Sequence, residues 1–140
     1  MIYPLGVKGN TIALLLYRKR SLEGYLDQEK VKELLKEFGY SCTSLKEILV
    51  TFRKHYQEYL QKKCPFPHEI GFLLGYPPED VEGFIRNNGQ KFLCVGEWKV
   101  YENSKAKQKL FQKYDYTREN LIQLLSCGIR MDQIVSIMSA

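Results

Sequence analysis

The sequence has no long hydrophobic run. Its longest apolar stretch, Ile12 to Tyr17, is six residues, far short of the roughly 18 that suggest a membrane span. The N-terminus lacks the charged region, extended apolar run and small-residue cleavage site of a secretory signal. A cytoplasmic protein with no membrane role is therefore expected. Cysteine is sparse: Cys42, Cys64, Cys94 and Cys127 are 22, 30 and 33 residues apart. Without a CxxC pair, neither a zinc ribbon nor a thioredoxin-like motif is present. The four are expected to be reduced and mostly buried thiols. Histidine occurs only at His55 and His68. The second of these begins HEIGF, where Phe72 stands in place of the second histidine of an HExxH zinc site. Gly71 and Gly75 lack the Lys-Ser/Thr ending of a phosphate-binding loop, and there is no GxSxG nucleophile turn. These absences remove zinc peptidases, P-loop enzymes and serine hydrolases of the elbow type.

What is present fits one globular domain over residues 1–140. The chain is 44% hydrophobic and 26% charged, and ten of its aromatic residues are tyrosines. Its net charge of +5 is unevenly spread: +5 over residues 1–63, −3 over residues 64–103 and +3 over residues 104–140. The region richest in special residues is thus acidic, which disfavours a grip on phosphate backbones and makes nucleic acid a poor candidate partner.

Periodicity sets the expected elements. Thr11 to Tyr17 reads as a short buried strand. Residues 28–38 place Val31, Leu34, Leu35 and Phe38 on one helical face before a Gly39 stop. Residues 44–61 form the clearest helix, with Leu45, Ile48, Leu49, Phe52, Tyr56, Tyr59 and Leu60 inward; Thr43 or Ser44 caps it, and Glu47 suits a capping box from Ser44. Residues 68–74 form a short helical piece closed by Gly75. Pro77-Pro78 with Glu79 and Asp80 starts another helix, which ends at Asn87-Asn88-Gly89. Lys91 to Tyr101 reads as a strand with a bulge or bend at Gly96. A helix carrying Ala106, Leu110, Phe111 and Tyr114, a second capped by Thr117 and stopped by Gly128, and a last short helix over residues 131–138 complete the chain. The fold class is α+β, predominantly helical, with a small sheet of two or three strands. The first strand needs a partner. Lys91 to Tyr101 is the best candidate, either bent into a hairpin at Gly96 or supplemented by a strand from a second copy.

The stretch from Cys64 to Ile85 holds four prolines, three glycines, one histidine and four carboxylates. Its residues Pro67-His68-Glu69-Ile70-Gly71, Leu74-Gly75-Tyr76-Pro77, Glu79-Asp80-Val81 and Gly83-Phe84-Ile85 are followed by Gly96-x-Trp98-Lys99-Val100-Tyr101. This ordered set, spanning about residues 12–116, resembles a bacterial family catalogued as domain of unknown function 3793. The resemblance transfers no activity. It implies relatives with more sequence ahead of the Ile12 strand, and hence a shortened N-terminus here. An exposed strand edge would then be covered or would pair with a second copy to make a homodimer.

Within the signature core, residues 64–103, chemistry competes with packing. His68 is the leading candidate for an acid-base or anion-binding role; the plainer reading has its ring bonding a carbonyl in the proline-rich turn. Glu69 or Glu97 would be its carboxylate partner, although adjacent helical residues such as His68 and Glu69 diverge. His55, among charged residues of the long helix, reads as solvated. A metal would need Cys64, Cys94 and His68 together, and no spacing supports that. No metal or cofactor is assigned. Glu79, Asp80 and Glu82 are accounted for as helix-dipole partners and a solvated face. The favoured expectation is a module binding an unidentified small ligand or protein through His68, Glu69, Tyr76, Trp98, Lys99 and Tyr101. The alternatives are a small enzyme with His68 as acid-base residue, or a binder of nucleic acid or acidic protein through the face carrying Lys105, Lys109 and Lys113.

Overall fold

Ile2–Lys8 (β1) and Thr11–Leu16 (β2) form an antiparallel hairpin. Gly9, with φ +57°, makes the turn between them. The first strand is therefore completed locally, not by Lys91 to Tyr101 as its sequence suggested. Pro4 and Gly6 disguise β1 as a loop, yet a proline is tolerated in a strand whose outer edge needs no donor. Between Pro4 and Gly6 the register shifts through a bulge. That shift lets Leu5 be buried while Val7 remains 65% exposed. The inner side of the hairpin packs on the long helix, and a Cβ on Gly6 would lie 2.6 Å from Leu60 Cδ1.

The computed structural model describes residues 1–41 and 44–139; the expectations placed on Cys42 and Thr43 fall outside them. The chain divides into two compact units, Met1–Phe92 and Leu93–Ala140. Among the described residues, the first holds the hairpin and five helices: Lys19–Leu26 (α1), Glu29–Glu37 (α2), Leu45–Leu60 (α3), Ile70–Leu73 (α4) and Pro78–Arg86 (α5). Only α1 was not anticipated, because the Arg18-Lys19-Arg20 run hides the apolar face carried by buried Leu22 and Leu26. Ser44 caps α3, accepting from the Glu47 amide at 3.3 Å. Its hydroxyl also donates to the Glu47 carboxylate at 2.7 Å, so the carboxylate closes on the cap side chain. The core joins Leu5 and Leu15 to Leu22, Val31, Leu35, Ile48, Phe52, Phe72 and Val81.

The second unit begins with a small hairpin. Cys94–Val95 (β3) pairs antiparallel with Lys99–Val100 (β4), so the Tyr101 strand does bend at Gly96. A Cβ there would lie 2.2 Å from the Phe111 ring, which explains the glycine. The expected break at Thr117 does not occur: Ser104–Ser126 (α6) is continuous. The Thr117 hydroxyl donates back to the Lys113 carbonyl at 2.8 Å instead of capping a new helix. On α6, Phe111 and Lys107 are buried, whereas Ala106 and Tyr114 are exposed, so the buried stripe is rotated from the expected one. Gly128, at φ +80°, ends α6, and Met131–Ser139 (α7) follows. The architecture is α+β and predominantly helical, with two separate two-stranded sheets among the described residues. No helix there is long and apolar enough to cross a membrane. Cys64, Cys94 and Cys127 are free; the first two are half-buried and Cys127 is exposed, against the expectation of mostly buried thiols.

Candidate functional site at the PHEIG turn

The turn that enters α4 is held from three sides. Pro67 is buried, and its carbonyl accepts from the Ile70 amide at 3.2 Å, while the His68 carbonyl accepts from Gly71 at the same distance. Gly71 is itself buried against α5: a Cβ would lie 2.7 Å from Val81 Cγ2. Gly75, at φ +72°, stops α4 in the left-handed region that glycine enters freely. The next residue, Tyr76, returns its amide to the Gly71 carbonyl at 2.9 Å. Its own carbonyl accepts from the Tyr25 hydroxyl of α1. Gly71 and Gly75 are therefore required by packing and backbone geometry alone.

Glu69 does not meet His68. Its carboxylate accepts from the Tyr40 hydroxyl at 3.3 Å and lies 2.9 Å from His55 Nδ1. The rings of Tyr40 and His55 stand edge to face, with centroids 5.5 Å apart. His55 is thus no free surface side chain: its side chain is 31% exposed and Glu69 only 14%. Cys64 Sγ sits 3.6 Å from the His55 carbonyl, tying the chain after α3 to the same place. A carboxylate on Nδ1 fixes the ring's orientation and favours the tautomer with Nε2 as the acceptor. Burial, and next the Glu69 charge, hold the Tyr40 hydroxyl well above the usual tyrosine range. Burial followed by Glu79 does the same for Tyr25. The sequence signal for this cluster was weak, since Tyr40, His55 and Glu69 belong to three separate segments.

His68 is exposed and lies against two rings, with centroids 5.3 Å from Phe66 and 4.8 Å from Phe84. Phe66 in turn meets Tyr59 at 5.2 Å and Tyr56 at 6.3 Å. The result is a run of partly exposed rings along one side of the first unit, with His68 as its most accessible member. Beside it, a cleft of about 240 Å³ is lined by Gly6, Lys8, Thr11, Tyr56, Tyr59 and Leu60.

The remaining sequence candidates lie in the second unit. Trp98 packs edge-on against Phe111, with centroids 4.7 Å apart, and Lys99 and Tyr101 are half-buried. Glu97 is occupied by Arg118 at 2.5 Å. Lys105, Lys109 and Lys113 are exposed on α6. In the first unit, Glu79 and Asp80 stand in the first turn of α5 as expected of dipole partners, but Asp80 is 2% exposed and so is not part of a solvated face, while Glu82 bonds Arg86 at 2.9 Å. Among the described residues, no group of three His, Cys, Asp or Glu side chains is placed to hold a metal ion.

A family model described as "Protein of unknown function (DUF3793)" matches residues 1–135. The chain belongs to this family. The DUF3793 match reaches beyond both ends of the stretch, about residues 12–116, that carries the signature motifs. No curated protein and no solved structure matches the chain. The description of DUF3793 supplies no reaction, so the reading of the site rests on its geometry.

Proposed function

We propose that the protein is a binding module whose recognition surface is the PHEIG turn and its ring neighbours, with His68 at the centre. In the second unit, taken by itself, Trp98, Lys99 and Tyr101 of the WKVY segment are proposed as ligand-contact residues in their own right. The observation that carries this reading is the division of labour within one pentapeptide. Pro67, Ile70 and Gly71 serve packing, Glu69 serves an internal bond, and His68 alone is presented to solvent on an aromatic bed. An imidazole backed by rings offers a donor, an acceptor and apolar area together, the composition common at recognition surfaces. Replacing His68 with alanine should leave folding stability within about 1 kcal/mol, the scale of an exposed ring contact. Native mass spectrometry of protein isolated from its own host should show a retained ligand or partner with His68 present and lose it in His68→Ala. A His68→Ala chain that fails to fold would assign the residue to structure.

A second reading, a small acid-base enzyme, is favoured by one observation: the 2.9 Å Glu69–His55 pair. In this reading His55, not His68, is the acid-base group, and Glu69 orients it. Glu69→Gln would keep the shape of the pair but remove its charge. 15N NMR of the His55 ring should show the ring proton fixed on Nδ1 in the parent and shared between both nitrogens in Glu69→Gln, because the amide can face the ring with either its oxygen or its NH2 group. A ring with no fixed tautomer in the parent would remove the basis for this reading.

A further inference from the structure

The hairpin's outer face is the least explained surface of the molecule. Its cross-strand pairs are Ile2–Leu16, Pro4–Leu14 and Val7–Ile12. Ile2, Val7, Ile12 and Leu16 are between 62% and 71% exposed, Leu14 is 48% exposed, and Pro4 is also exposed. The bulge matters here: by placing Leu5 inward with its neighbours, it keeps Val7 in phase with Pro4 and Ile2. Three successive rungs therefore present nothing but aliphatic side chains and one proline. They expose roughly 600 Å² of contiguous apolar surface, the top of the range for a monomer.

We infer that this face is the contact surface of a symmetric homodimer, in which each copy's hairpin covers the other's. Three features select a second copy of the chain. Two such patches could together remove at most about 1,200 Å² from water, which just reaches the range of stable specific interfaces. The patch holds no charged residue, and interfaces between identical subunits are the most apolar class. It is also a pleated sheet surface, and two of these interdigitate face to face at about 10 Å. The rungs themselves carry no cation to hold an anionic lipid surface: Lys8 lines the cleft with Tyr56 and Tyr59 on the opposite side of the hairpin, and the exposed Arg18-Lys19-Arg20 run lies beyond the end of β2. Aromatic anchors are likewise missing from the outer rungs, whereas Tyr3 and Tyr17 pack against the core. This surface is separate from the PHEIG turn, so the inference stands apart from the proposed binding role.

Sedimentation equilibrium of the full chain tests it. The parent should have the mass of a dimer at about 100 µM and dissociate on dilution. Leu14→Asp and, independently on the facing strand, Val7→Glu should each weaken association at least about 100-fold while keeping the parent's circular dichroism, since both sites are exposed. Two variants guard against one of them misfolding. A monomeric parent at that concentration overturns the inference, as does a dimer that both folded variants leave unchanged. A monomer that binds phosphatidylcholine–phosphatidylserine vesicles, and loses that binding in the same variants, overturns it in favour of a lipid.

Discussion

Phe72→Ala should cost about 3–5 kcal/mol of folding stability, the usual toll of removing a buried aromatic ring from a core. Phe72 is 0% exposed and packs near Phe38, with ring centroids 6.2 Å apart. It sits in α4, a helix of only four residues whose position depends on that burial and on Gly71 lying against Val81. Sliding α4 inward to close the cavity is opposed at Gly71, where the backbone already lies too near Val81 to admit a Cβ. For a chain of this size the loss is a large fraction of the 5–15 kcal/mol that holds a typical protein folded. Urea denaturation should show a lower midpoint with an unchanged slope. The contrast with His68→Ala is the informative part. Two residues four positions apart in one signature should differ several-fold in their cost, one serving the scaffold and the other the surface. Similar losses at both positions would mean that the motif is wholly structural.

The helical framework was legible because its signals are local. Ser44 with Glu47 starts α3, Pro78 with Glu79 starts α5, and Gly39, Gly75 and Gly128 mark stops, as their positive φ values require. Elements hidden by their own composition were not. Pro4 and Gly6 break the alternation of β1, although the Gly9-Asn10 pair is a hairpin signal in its own right. Thr117 resembles a cap because its hydroxyl can bond either a new helix's amides or the preceding turn's carbonyl, and only the continuity of α6 decides between them. The site divides the same way. His68 stands out in sequence as the one histidine among turn residues. The Tyr40–Glu69–His55 cluster depends on the segment after α2, on α3 and on the PHEIG turn converging, and no local pattern announces such a convergence.

That cluster also sets how the protein should respond to alkali. The Tyr40 and Tyr25 hydroxyls are both held above their ordinary range, chiefly by burial and then by Glu69 and Glu79 respectively. Below the ordinary tyrosine value of about 10, both side chains are protonated whether the chain is folded or unfolded, and the packing they contribute is fully present. Above it the unfolded chain releases these protons while the folded chain keeps them. The unfolded state then binds fewer protons, so stability falls as pH rises, by about 1.4 kcal/mol per pH unit for each tyrosine that stays fully protonated. Tyr40, 2% exposed, should approach that slope. Tyr25 is half-buried, and its share is reduced by solvent screening. The urea midpoint should therefore hold near neutral pH and drop steeply between about pH 10 and 12. Tyr40→Phe removes the ionising group but keeps the ring, so its midpoint should begin slightly lower and decline less steeply. If the parent and Tyr40→Phe instead decline in parallel, Tyr40 ionises as readily in the folded protein as in the unfolded chain, and neither its burial nor the Glu69 carboxylate beside it holds the proton as assigned.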